Sequence, residues 1–185
     1  MRAVLEKGTQ GAAPEATPYV DVLLIIDRST SMSGKEKETS VVKKINKFIT
    51  EQKKLPGKVT ITTCLFNEQM EYLHQHVPLD EVPVLKRKDY IPCGRAHLLD
   101  AVGGTLSQLF KQHLGLPEAE RPQKTLVVIM TDGEEIFSSR IFVKPEVKVM
   151  IELLQRKCGW EFLYFGANVD HFEKDPETEY IIDHL

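Results

Sequence analysis

The stretch Ile25-Ile26-Asp27-Arg28-Ser29-Thr30-Ser31-Met32-Ser33-Gly34 decides the fold. The run from Val20 to Ile26 reads as apolar and ends on an acid, followed by alternating hydroxyls and a glycine. A short apolar run closed by turn residues reads as a strand buried on both faces, the kind found in parallel sheets. The loop after such a strand lies at its carboxyl end, where open α/β sheets bind ligands. Asp27, Ser29 and Ser31 bring one carboxylate and two neutral hydroxyls to that loop. All three are hard oxygen donors, the type Mg2+ accepts while keeping several of its waters.

A second run, Leu126-Val127-Val128-Ile129-Met130, ends in Thr131-Asp132-Gly133. In a parallel sheet the ends of two such strands can be neighbours, so Asp27 and Asp132 can flank one divalent cation. Either aspartate alone reads as a cap on the helix that follows it. Together with Ser29 and Ser31, the four residues read as a metal site.

The elements between these runs alternate. Val41, Val42, Ile45, Phe48 and Ile49 recur at helical spacing and predict an amphipathic helix over 35–54. Its lysines mostly fall off that face and read as solvated surface. The positive end of this helix lies beside the metal loop and favours an approaching carboxylate. Pro56-Gly57 is a turn signal. Alternating Val59, Ile61, Thr63 and Leu65 predict a strand over 58–66. The short Asn67-Glu68 turn then makes 70–77 an antiparallel edge strand. His74 and His76 share a face of that strand, yet no third ligand follows at zinc spacing, so they read as solvent-facing. Residues 78–91 read as a charged surface connector. Helices over 98–113 and 145–157 and a strand over 160–165 complete the pattern.

The totals fit an ordinary single domain of 185 residues with a net charge of −3. That charge does not suggest a nucleic-acid footprint. Cys64, Cys93 and Cys158 are odd in number and widely separated. They favour free thiols in a reducing compartment. With no run of transmembrane length and no signal-peptide core, a cytoplasmic location is expected. Residues 1–18, rich in small residues, Gly and Pro, read as a flexible leader before a domain over 19–185.

Asp27-Arg28-Ser29-Thr30-Ser31 resembles the Asp-x-Ser-x-Ser signature of von Willebrand factor A domains, where it forms the metal-ion-dependent adhesion site. The resemblance extends through Thr131-Asp132-Gly133, through residues 94–102 and through 159–168, the last stretch looking like the cytoplasmic bacterial branch. It covers roughly residues 19–170. It implies a Rossmann-like α/β fold with a central, mostly parallel sheet, one antiparallel edge strand and helices on both faces. It also implies a Mg2+ site, with Mn2+ or Ca2+ as substitutes. Ser29 and Ser31 would ligate directly, and Asp27 and Asp132 directly or through water. An Asp or Glu of a protein partner would complete the shell. Among bacterial relatives such partners include AAA+ ATPases and components of stress or phage systems; no membrane or nucleic-acid partner is implied.

Two departures from the family pattern stand out. Relatives commonly read Gly-x-Thr-x-Leu-x-Asp-Ala, and here Ala96 holds the threonine position and offers no oxygen. Water can fill that place, but a metal-independent scaffold with a degenerate site also fits, whether Ala96 is native or substituted. Thr105 lies too far along its helix to replace the missing hydroxyl. Relatives also continue into a further helix and sixth strand, whereas residues 171–185 leave room for one short closing element. A phosphoester hydrolase of the haloacid-dehalogenase type would need a second acid where Ser29 stands. No nucleophile elbow or dinucleotide fingerprint is present. The expected function is binding rather than catalysis.

Overall fold

The computed structural model describes residues 18–54, 56–132 and 140–166. The expected leader, apart from Pro18, lies outside these residues, as do Gly133, Glu134, Glu135, Ser138, Ser139 and the tail from 167.

β1 (Tyr19–Asp27) leads through a one-turn 3-10 helix into α1 (Lys35–Gln52). β2 (Lys58–Phe66) and β3 (Met70–Pro78) follow, then α2 (Leu98–Gly115), β4 (Lys124–Thr131), α3 (Lys144–Cys158) and β5 (Glu161–Gly166). The five strands form one sheet in the order β3-β2-β1-β4-β5. β1 pairs in parallel with β2 and β4, and β4 with β5. β3 is antiparallel to β2, so the expected edge hairpin is what forms. The α/β architecture read from the sequence is the observed one.

β1 alternates between two cores, as a strand with period two must when both faces are covered. Val22, Leu24 and Ile26 pack with Val41, Ile45, Phe48 and Ile49 of α1. Leu23 and Ile25 pack with α2 and α3. Each such side chain, fully buried, contributes about 1.5–3 kcal/mol. β1 is thereby clamped, and its last residue sits at the carboxyl edge of the sheet.

Three expectations need correction. The run from Val20 to Ile26 contains Asp21, which is fully buried. Its Oδ1 accepts from Thr60 Oγ1 at 2.7 Å and its Oδ2 lies 2.8 Å from His113 Nε2. The connector over 78–91 is not merely surface. Leu79, Val82, Leu85 and Tyr90 are buried in the α1-side core, and Asn46 of α1 bonds both backbone groups of Leu85 at 2.8 Å. His74 and His76 do not simply share a solvent face, because the β2–β3 register shifts around Thr63. His76 takes a positive φ of 51°. It reaches Tyr19 Oη at 3.1 Å and lies 3.6 Å from Asp21, while His74 Nδ1 pairs with Thr63 Oγ1. A bulge of this kind re-aims the side chains that follow it.

Asp100 joins two elements of the fold. Its carboxylate accepts backbone N–H bonds from Arg140, Ile141 and Phe142 at 2.8–3.0 Å, tying the first turn of α2 to the segment that enters α3. Burial pushes its carboxyl up, but the three amides outweigh that and hold it below the usual range. The stabilisation is therefore present above the ordinary carboxylate pKa and is lost as pH falls through the lower folded value. Asp100→Ala is expected to cost about 1 kcal/mol at pH 7, because water can replace the carboxylate at the exposed Arg140 and Ile141 amides and only the Phe142 amide is part-buried. Chemical denaturation checks this, and the difference from wild type should shrink in acid.

Candidate metal centre

β1 and β4 are adjacent, with Ile26 opposite Met130, so their ends bring Asp27 and Asp132 to one edge. The chain leaves β1 through a turn that Asp27 organises itself. Ser29 N–H donates to Asp27 Oδ1 at 2.7 Å, and the other oxygen accepts from Thr131 Oγ1 at 2.6 Å. Tyr90 Oη donates to the Asp27 carbonyl at 2.5 Å. Arg28 N–H bonds Phe66 O, Cys93 N–H bonds Arg28 O, and Thr30 N–H bonds Gly94 O, all at 2.8–2.9 Å. The loop is thus stitched to β2 and to the segment before α2. Gly94 is required in this stitching. Its φ is +75°, and a Cβ there would collide with the Glu68 carboxylate.

The four residues singled out in the sequence form one chain of contacts. Ser29 Oγ lies 3.0 Å from Ser31 Oγ, and Ser31 Oγ donates to Asp132 Oδ1 at 3.0 Å. Asp27 and Ser29 are buried, and the Asp132 side chain is fully enclosed. Burial pushes the Asp27 carboxyl above its ordinary range. The Thr131 and Ser29 hydrogen bonds oppose that push, and the nearby Asp132 charge adds to it. The site thus holds two carboxylates that repel each other.

Sequence reasoning missed three members. Thr131 orients Asp27, and Tyr90 pins its backbone. Lys37, in the first turn of α1, donates to Asp132 Oδ2 at 2.6 Å and to Ser31 O at 2.8 Å. Lys37 follows Ser31 by six residues, but Lys35 shares its helical turn, so position on the helix did not single it out. Ala96 is buried with Leu98, Leu99 and Val102 in the α2-side core and offers the site only a methyl group. Among the described residues no three His, Cys, Asp or Glu side chains converge as a metal-binding group. A cation here would depend on hydroxyls and water beside the two aspartates. Cys64, Cys93 and Cys158 are all free thiols. No described helix is long and apolar enough to cross a membrane.

No protein-family model matches the chain, and no curated protein matches it. Solved structures do. The chain is similar to the manganese-loaded TRAP protein of Plasmodium vivax, at 17% identity and a TM-score of 0.55, over 84% of this chain and 61% of that one. It is also similar to proximal thread matrix protein 1 of the mussel byssus, at 12% identity and a TM-score of 0.51, over 80% of this chain and 35% of that one. The vWF domain of the type V pili tip protein Mfa5 of Porphyromonas gingivalis matches over 63% of this chain and 38% of that one, at 19% identity and a TM-score of 0.43. The chain spans less than two thirds of the length of each of these proteins. At these identities the likeness is one of fold, and the fold is of the von Willebrand factor A kind.

Proposed function

We propose that this domain binds a protein partner through a divalent cation, with Mg2+ as the resident ion and Mn2+ or Ca2+ able to replace it. The observation that carries the reading is the continuous set Asp27, Ser29, Ser31 and Asp132 at the carboxyl edge of β1 and β4. Its chemistry suits a hard divalent ion: two carboxylates supply the charge and two hydroxyls supply neutral oxygen. The ion would offer an open position to an outside carboxylate. Thr131 and Tyr90 hold Asp27 in place, and the Gly94 stitch holds the serines. The manganese of the similar Plasmodium protein accords with such a site but belongs to that protein. An acidic residue on a partner, for instance an AAA+ ATPase or a stress- or phage-system component in a bacterial cytoplasm, is the matching ligand. Binding rather than turnover is the role, because the set contains no nucleophile–base pair of the triad kind.

A metal-indifferent scaffold is the second reading, favoured by the buried methyl of Ala96 where an oxygen is wanted. Immobilised protein incubated with lysate in Mg2+ and in EDTA separates the two. A partner retained in Mg2+, released by EDTA and lost with Asp132→Ala is the expected result. Retention indifferent to EDTA and to Asp132→Ala would overturn the metal reading in favour of the scaffold.

A further inference from the structure

The Lys37 ammonium already sits where a cation would neutralise Asp132. Its Nζ is 2.6 Å from Asp132 Oδ2 and 2.8 Å from Ser31 O, while Asp132 Oδ1 is tied to the Ser31 hydroxyl. We propose that Lys37 is a tethered counter-cation that competes with the divalent ion for Asp132, so that metal enters only as the lysine leaves. This rests on the metal-site reading above and adds its regulation.

The placement of Lys37 is not explained by helix stability. Lys37 lies in the first turn of α1, where the helix dipole disfavours a cation and favours an anion. Glu36 and Glu38 satisfy the dipole; Lys37 works against it and is compensated by the Asp132 contact. The contact has a clear electrostatic purpose. Asp27 and Asp132 repel across the site, and one ammonium on Asp132 relieves that repulsion when no metal is bound. A divalent ion against Asp132 and the Ser31 hydroxyl would stand beside that ammonium and repel it in turn.

Lys37 keeps a path to solvent. The Asp132 side chain is fully enclosed, but that of Lys37 is 22% exposed. A flexible four-carbon stem lets the head swing into water while the helix stays still. The apparent metal affinity is then the intrinsic affinity reduced by the fraction of molecules with the lysine displaced. A lock closed in nine molecules of ten corresponds to about a tenfold reduction.

The experiment uses Mn2+ alone as the probe, titrated calorimetrically into the full chain, together with melting curves in EDTA. Lys37→Met is compared with Lys35→Met, which removes the same charge from the same helical turn at an exposed position. The expected result is that Lys37→Met binds Mn2+ about tenfold or more tightly than wild type. Lys35→Met should stay within about twofold, as a screened surface charge does. In EDTA, Lys37→Met should melt lower than wild type because Asp132 has lost its counter-cation, and Mn2+ should raise its melting temperature by more. Lys37→Gln, which keeps a donor toward Ser31 O, should show the same gain in affinity and covers the case in which the methionine variant fails to fold. Equal affinities for the position-37 and position-35 variants would overturn the lock and leave the metal site standing. No Mn2+ binding by wild type or by folded position-37 variants would overturn both.

Discussion

Asp21→Ala is expected to lower the stability of the domain by about 3 kcal/mol, because it removes the fully buried carboxylate at the centre of a polar cluster. The Asp21 carboxylate is fully enclosed at the amino-terminal end of β1. It accepts from Thr60 on β2, is bonded to His113 in the last turn of α2, and lies 3.6 Å from His76 on β3. Tyr19 Oη extends the cluster to Thr60 and His76 at 3.1 Å each. Truncation leaves His113 without the acceptor that offset its desolvation and Thr60 with only the Tyr19 hydroxyl, and a buried group so orphaned costs about 1–3 kcal/mol by itself. Asp21→Asn keeps one acceptor oxygen and the shape, so a smaller loss of about 1–2 kcal/mol is expected. For a chain of this length the alanine variant should melt roughly 6–12 °C lower. Urea denaturation gives the free energy directly, and a loss under about 1 kcal/mol would show that the cluster is not a keystone of the sheet.

Asp21 and Asp27 also mark what could and could not be read in advance. They stand six residues apart on the same face of one strand, with Leu23 and Ile25 between them. Asp27 was legible because its meaning is local: an acid at the end of an apolar run, two hydroxyls, then a helix. Asp21 was not, because its partner His113 is 92 residues away in sequence and on a different element. Sequence spacing carries no information about which helix end will arrive over which strand. The same asymmetry explains the connector over 78–91. Its lysines and acids dominate a local reading, whereas Leu79, Val82, Leu85 and Tyr90 find their core only after β3 has returned the chain to α1.

The strands themselves were legible almost to the residue, since apolar runs closed by turn residues mark β1 and β4 and alternation marks β2. The β3 bulge was not, because alternation along an edge strand does not say where an extra residue enters; the shift around Thr63 brings His76 toward Asp21. In the site, the donors were legible and their holders were not. Thr131 was read as part of a Thr-Asp-Gly run, but its hydroxyl on Asp27 follows from β4 lying beside β1. Lys37 was hidden among many lysines of a helix whose surface needs no further explanation.

Asp27→Asn is expected to weaken metal binding by about a hundredfold or more and yet leave the metal-free domain at least as stable as wild type. The two halves have one cause. Burial raises the Asp27 carboxyl above its ordinary value of 3.8, so the folded chain holds a proton there more readily than the unfolded chain does. Stability contributed by a carboxyl raised in this way falls as pH climbs from the ordinary value through the folded one, and above that window the full penalty remains. At pH 7 Asp27 therefore subtracts from the stability of the metal-free protein. The amide removes that charge, keeps an oxygen for Ser29 N–H, and presents its nitrogen to the Thr131 hydroxyl, which can turn to accept. In EDTA the variant should melt as high as wild type or higher at pH 7, and the difference should fade below about pH 4, where both side chains are neutral. Metal reverses the order. At Mg2+ about a hundred times its dissociation constant, wild type gains about 2.7 kcal/mol, or roughly 5–11 °C, while the variant gains almost nothing. A variant that melts well below wild type in EDTA would mean that Asp27 is there for the fold. A variant that still gains the full increment in Mg2+ would mean that the ion does not depend on this carboxylate.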